Sequence, residues 1–476
     1  MIAPDFTTLD WLLIGGYFVF VLYLSLTAER EDQSEEWFLL SGRKMSLPAF
    51  VATLVSTWYG GILGVGEYSY QFGISQWLLF GFPFYIFSAL FAWYLAGKIR
   101  ENIALTIPEA LGNVYGNVPA RISAIPIFVL VSPAPYILML GLLFQYLSGG
   151  TGHYIWYASA VAIFSVFYVN YGGFSAVVRT DALQLILMFG GFILLLIFCV
   201  EEYGAITALW GELPEDYRAL GGGRDIQYIL VWFFIALWTF VDPSFHQRAA
   251  AAKSPQTARR GIYLSILLWS AFDFLTVFGG LYAWGILGPG IDQPVMAYPY
   301  LASEVLPLGL KGLFFVALLA TIMSTMDSYL FLSGQTLGRD LLKKLFPAIK
   351  SNRLTRISVL VAALLGILLI VLYPSVIDLW YVLGSVMIPG LLIPVLGVYL
   401  PVFRLKRRFV LPLMLISIGL SLLWLILGTI YQSGSYSYSF QGIEPFYPGL
   451  LISIVIWLIG RSALDDQGTT SSTLQE

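Results

Sequence analysis

Long apolar runs separated by short polar stretches recur along nearly the whole chain. A helix that crosses a bilayer needs about 20 predominantly apolar residues. Thirteen stretches meet that need, at roughly 9–27, 46–72, 74–97, 122–148, 153–171, 181–200, 226–247, 260–287, 311–337, 355–373, 375–401, 409–432 and 446–463. The last is the weakest, because its charge-free part, Tyr447 to Gly460, is short and contains Pro448. The pattern predicts an all-α integral membrane protein of about 13 transmembrane helices, one polytopic domain over residues 1–463. The polar, Ser/Thr-rich tail 464–476 reads as a disordered cytoplasmic segment.

Thirteen spans put the termini on opposite sides, and the basic residues indicate which. With the N-terminus outside, 22 of the 25 Lys and Arg fall on inner loops and helix ends, Arg248 among them. Only Arg218, Arg224 and Lys311 fall outside. The expectation is a multi-pass protein of the cell (inner) membrane, N-terminus outside and C-terminus cytoplasmic. Composition sharpens the class. The chain is 58% hydrophobic and 11% charged, with mean hydropathy +0.80. These values exclude a soluble enzyme and a disordered protein, and a net charge of −3 offers nucleic acid no basic surface. The single cysteine, Cys199, precludes an intrachain disulfide, and the N-terminal run has no cleavage-site pattern of a signal peptide.

Against this apolar background five carboxylates stand out inside proposed spans: Glu67, Asp181, Asp242, Asp273 and Asp327. Asp181 and Asp242 read as lying near inner ends, and Asp273 and Asp327 near mid-depth. No Lys or Arg is placed at comparable depth, so the buried inventory reads as purely acidic. Charged groups at that depth are costly, and a cation pathway accounts for the set together. Thr321, Ser324, Thr325, Asp327 and Ser328 recur largely at helical spacings and line one face with oxygens, which suits a small hard cation. Hydroxyl contacts between membrane helices are the plainer alternative. In Ser56-Thr-Trp-Tyr-Gly-Gly-Ile-Leu-Gly-Val-Gly-Glu-Tyr68, four glycines fall in seven residues. An unwound stretch there, with Trp58, Tyr59 and Glu67 among the glycines, suits a cavity, and close helix packing is the alternative.

Four segments resemble the sodium:solute symporter family, whose members share the leucine-transporter fold. They are Arg43-Lys-Met-Ser46 leading into the Gly-rich span; Tyr171 to Gln184, with Thr180-Asp181-x-x-Gln184; Asp242-Pro-Ser-Phe-His-Gln-Arg248 with the following alanines and Lys253; and Leu306 to Gly312 followed by Met323-Ser-Thr-Met-Asp-Ser328. The resemblance covers roughly residues 40–400. It implies a leucine-transporter-like core of two inverted five-helix repeats, about 46–200 and 226–401. It implies sodium-coupled import of a small organic solute by alternating access, with sodium as coupling ion and no cofactor. The main sodium site would combine the Ser324 and Thr325 hydroxyls with carbonyls of Thr321, Leu54 and Thr57. A second cation site would draw on Asp181, Ser324, Asp327 and Ser328. Solute positions would include Ser56, Trp58, Gly61, Ile235 and Trp238, with Trp238 an aromatic lid. The span around Trp238 departs from the pattern in having no glycine, and only Asp242-Pro243 hints at a break. Glu67 stands where the family often has a small residue, and Asp273 matches no family motif. Both suit an ammonium group, so an amino acid, amine or other cationic solute is the expected partner.

Other classes fit less well. The two histidines, His153 and His246, form no His-Glu-x-x-His, and no Walker A loop exists, so no enzyme is expected. A channel would repeat a filter across subunits, whereas dispersed polar groups suit a carrier working as a monomer. A proton-coupled carrier of the same fold is the alternative within transport, with Asp181, Asp273 and Asp327 as relays.

Overall fold

The computed structural model describes residues 5–27, 34–431 and 438–461, so the expected tail at 464–476 lies outside the described residues. The helices that carry the argument are α1 (Thr8–Leu26), α2 (Glu35–Leu40), α3 (Leu47–Trp58), α4 (Ile62–Phe72) and α5 (Trp77–Glu101). They continue with α6 (Ile107–Tyr115), α7 (Asn117–Leu130), α8 (Ala134–Leu147), α9 (Tyr154–Tyr203) and α10 (Ile226–Ile235). Next come α11 (Trp238–Val241), α12 (Pro243–Ala251), α13 (Pro255–Leu287), α14 (Ala297–Val305) and α15 (Leu310–Gln335). The last four are α16 (Ser351–Leu372), α17 (Val376–Tyr399), α18 (Arg407–Tyr431) and α19 (Phe446–Gly460).

All thirteen expected stretches fall on helix. Eleven helical segments among the described residues are long and apolar enough to span a bilayer. The other two expectations correspond to the first half of α9 and to α19, which has only 15 residues. Helix ends follow local chemistry. Thr7 and Asp10 form a reciprocal capping box on α1, and Ser46, Thr106, Ser254 and Ser375 each accept a backbone N–H at an N-terminus. The spans expected at 153–171 and 181–200 are joined in α9, which kinks at Gly173 where φ is +62°. The second half therefore starts at Gly173, and Asp181 lies two turns inside it, fully buried, rather than at a helix end.

The two spans that open the halves of the core are interrupted. Between α3 and α4 the break among the glycines is a single 3₁₀ turn, Tyr59–Gly61. The span at 226–251 breaks twice: after Ile235, and at Asp242, whose backbone is extended and whose side chain accepts the Ser244 N–H at 2.7 Å. Pro243 lacks a donor and so begins the next helix without loss. Around these breaks α15 is the central post, 94% of its most apolar window buried, whereas α1 is 28% buried and presents Trp11, Leu12 and Val19 outward.

The basic loops gather at one end of the bundle. Met45 pairs with the backbone of Ala251 and Lys253 at 3.0 and 2.9 Å, Arg43 donates to the Asn102 carbonyl at 2.9 Å, and Lys98 to that of Tyr399 at 3.0 Å. Here Arg339 bridges Glu35 on α2, Glu109 on α6 and its neighbour Asp340 at 2.9, 3.1 and 3.1 Å. The opposite end is tied by Ile74 to the Tyr217 carbonyl at 3.0 Å, Tyr70 to that of Gly288 at 2.6 Å and Tyr447 to that of Gln227 at 3.0 Å.

Candidate sodium and solute site

The oxygens expected to hold an ion meet where α3 ends. Thr57 is the last residue but one of α3, and its carbonyl accepts the Thr325 hydroxyl of α15 at 2.5 Å. Gly60 makes this approach feasible, since a Cβ there would overlap Oγ1 and Cβ of Thr325. The glycine thus serves close packing and the polar contact at once. Ser324 donates to Asp181 Oδ1 at 2.6 Å, and the Thr57 and Ser328 hydroxyls lie 3.1 Å apart. Thr321 turns its hydroxyl back to the Ala317 carbonyl at 2.7 Å. Leu54 is buried in the turn of α3 before Thr57.

A cation that the sequence assigned to an inner loop sits among these groups. Arg248 is fully buried, and its Nη2 donates to the hydroxyls of Thr57, Ser328 and Thr53 at 2.7, 2.9 and 3.1 Å. The same atom is 3.7 Å from Asp181 Oδ2, which also accepts the Thr53 hydroxyl. The buried inventory is therefore not purely acidic. Counting residues along the 226–247 run placed Arg248 just past the apolar core. In the fold every residue of α12 is buried, because the segment at Met45 pairs across Ala251 to Lys253 and covers that end. A buried guanidinium persists only when paired and hydrogen-bonded, and Arg248 Nη2 meets both conditions, while its Nε has no partner among the described residues.

The four residues expected at a second cation site divide. Ser324 meets Asp181, and Ser328 meets Arg248. Asp327 is instead the acceptor for the Tyr168 hydroxyl of α9, and its Oδ1 has no partner among the described residues.

Next to the 3₁₀ turn lies a partly open cavity. Of the expected solute positions, Trp58, Tyr59, Gly61, Ile235, Trp238 and Asp273 line it. Ser56 does not: its hydroxyl donates to the Ala52 carbonyl at 2.8 Å within α3. Glu67 does not either; it is half-buried further along α4, with Asp378 of α17 as its charged neighbour. Val65 lines the cavity from the same helix, and two residues further on Glu67 points to nearly the opposite face. The sequence reading missed Gln76, whose side-chain amide atoms are buried without partners among the described residues and which lines the cavity. A lone glutamine at the start of the apolar run 74–97 was the available signal. It also missed the aromatic wall of Phe80, Tyr136, Trp232, Tyr329 and Trp380, contributed by five different helical spans.

Asp273 is the only charged side chain lining the cavity among the described residues. It accepts the Tyr85 hydroxyl, while the Tyr59 hydroxyl donates to the Trp269 carbonyl at 2.8 Å. Tyr329 lines the cavity and donates to Asp242 at 3.0 Å, and its ring packs edge-on against Tyr136 with centroids 5.3 Å apart. His246 lies beyond, its Nε2 bonded to the Phe240 carbonyl at 2.9 Å, a structural contact.

A bundle built on two interrupted spans, with hydroxyls and a carbonyl converging at one break beside a cavity, is the architecture of a membrane carrier. A sequence model of the sodium:solute symporter family matches residues 38–403, and the chain belongs to that family. Among its relatives, the mouse sodium-coupled monocarboxylate transporter 2 is 25% identical over 398 residues, 77% of this chain and 63% of that protein. The Haemophilus influenzae sodium/pantothenate symporter is 26% identical over 326 residues, 64% of each chain. The chain therefore spans just under two thirds of those two relatives. The Escherichia coli sodium/pantothenate symporter is 25% identical over 94% of this chain and 95% of its own. Among solved structures, an outward-open, substrate-bound Na+-coupled sialic acid symporter superposes with TM-score 0.79 at 15% identity, covering 96% of this chain and 97% of that one. A nucleobase-cation-symport-1 family transporter, closed on bromovinylhydantoin, gives TM-score 0.56 at 13% identity, covering 89% and 93%. These likenesses establish the leucine-transporter-like fold.

Proposed function

We propose that the protein is a sodium-coupled secondary active symporter that imports a small organic solute by alternating access. The observation that carries this reading is the meeting of the Thr325 hydroxyl with the Thr57 carbonyl, beside Ser324, at the helix break next to the cavity. A proton site needs no such cage of oxygens. The relatives' names, all sodium-coupled, support sodium over the proton-driven alternative. Sodium at this site is cargo, held by Ser324, Thr325 and the carbonyls of Leu54, Thr57 and Thr321. An inner-negative potential drives it inward with about 2.3 kcal/mol per 100 mV, and a tenfold gradient adds about 1.4 kcal/mol. Ion binding across α3 and α15 favours one arrangement of the broken helices, and the solute then binds the cavity those helices wall.

The solute carries an amine or another cationic group. Asp273 is the sole charge in a mainly aromatic lining, and rings of that kind attract cations through their faces. The monocarboxylate and pantothenate named for the relatives would meet no basic side chain in this lining. The protein works as a monomer in the cell (inner) membrane, N-terminus outside, the basic end of the bundle in the cytoplasm. The test is uptake into proteoliposomes under an inward sodium gradient, with choline as control and a panel of amines, amino acids, carboxylates and polyols. Sodium-dependent accumulation of an amine-bearing solute is expected. Accumulation driven equally by a proton gradient in choline contradicts the coupling, and transport of carboxylates alone contradicts the solute class.

A further inference from the structure

We propose that the second cation of the transport core is the chain's own Arg248, so that a single sodium ion accompanies each solute. The inference rests on the sodium-symport reading above and adds the ion count to it.

Thr53, Thr57, Asp181 and Ser328 place four side-chain oxygens around one point where α3, α9, α12 and α15 cross. That point holds Arg248 Nη2, 2.7 to 3.1 Å from the three hydroxyls and 3.7 Å from the Asp181 carboxylate. Sodium would need the same oxygens turned toward it, whereas the three hydroxyls face the guanidinium N–H groups and the Asp181 carboxylate accepts the Ser324 and Thr53 hydroxyls. A guanidinium also stays charged under any physiological condition, so a sodium ion in contact with Asp181 and Ser328 would face a like charge at contact distance in a low-dielectric interior. The arginine is held independently of any ion. Its guanidinium lies 5.6 Å from the Phe174 ring centre, and the adjacent Gln247 donates to the Leu39 carbonyl at 3.0 Å and to Gln335 at 3.2 Å. Asp327, the remaining acidic candidate, accepts from Tyr168 instead of joining this group. The main site is spared: Thr325 Oγ1 bonds the Thr57 carbonyl, and Arg248 uses the Thr57 hydroxyl. Arg248 thus acts as a tethered counter-ion that keeps Asp181 neutralised while sodium comes and goes next to it.

The test counts ions. Purified full-length protein in detergent is equilibrated with ²²Na⁺ to saturation, with choline holding ionic strength constant. One ion per chain is expected, lost when Ser324→Ala and Thr325→Ala are combined. Arg248→Gln, which leaves the carboxylate and hydroxyls without their cation, is expected to bind two, and adding Asp181→Asn should return it to one. Two ions on the unmodified protein overturn the inference while leaving sodium coupling standing. So does a count of one in Arg248→Gln that elutes and melts as folded protein. If that variant does not fold, the count on the unmodified protein decides alone. No bound sodium at all overturns the coupling reading and this inference together.

Discussion

Replacing Thr325 by alanine probes the ion site at its narrowest point. Its hydroxyl is buried and lies 2.5 Å from the Thr57 carbonyl, against the Cα of Gly60. Removing it deletes one expected sodium ligand and leaves the carbonyl facing a void that the rigid turn does not close. Losing a partner of a buried polar group costs about 1–3 kcal/mol. That corresponds to a rise of roughly 5- to 150-fold in the sodium concentration for half-saturation, since about 1.4 kcal/mol is tenfold. Thr325→Ser keeps the oxygen and drops only the methyl, so its half-saturation should stay within about threefold of the parent, a shift below about 1 kcal/mol. The assay is displacement of ²²Na⁺ by unlabelled sodium, with the melting temperature measured in choline as a fold control. If Thr325→Ala binds sodium as the parent does while folded, the hydroxyl is not a ligand and the site must lie elsewhere.

Three further outcomes follow from the geometry. Asp273→Asn, which keeps shape and removes the one cavity charge, should raise KM for an amine solute by about 10- to 100-fold, the loss of a charge-assisted hydrogen bond of roughly 1.5–3 kcal/mol, and leave sodium half-saturation unchanged in the binding assay. Asp10 accepts the N–H groups of Gly312 and Gly309 at 2.6 and 3.2 Å and so ties α1 to the start of α15. Asp10→Ala should destabilise by about 1–3 kcal/mol in thermal unfolding, with the sodium-induced shift retained. Arg339→Ala removes the bridge from the segment just after α15 to Glu35 and Glu109, whose side chains are 37% and 34% exposed, so the loss is about 1 kcal/mol. Labelling of a cysteine placed at Gln335 should then speed up about fivefold.

Much of the fold was legible because bilayer crossing imposes a length and an apolarity that a chain cannot disguise. The same holds for the face of Ser324 and Thr325, whose spacing on α15 survives any detail of packing. What was not legible depended on the third dimension. Arg248 reads as an interfacial cation until Asp242 and Pro243 break the span and the Met45 segment covers it. Glu67 stood out by its charge and Gln76 passed unnoticed, yet the glutamine proves to be the cavity residue. The aromatic wall draws single residues from several spans, so no local pattern could assemble it. Asp327 and Ser324 share a helix face by spacing, yet separate neighbours, Tyr168 and Asp181, take their side chains.

The most direct test of the account is thermal unfolding of the purified protein across a sodium series, with choline at constant ionic strength and fixed pH. A cation that binds only the folded state raises the midpoint with its logarithmic concentration. The account predicts a sodium-specific rise that disappears when Ser324→Ala and Thr325→Ala are combined. A midpoint indifferent to sodium, or an equal rise in the double variant, would contradict it.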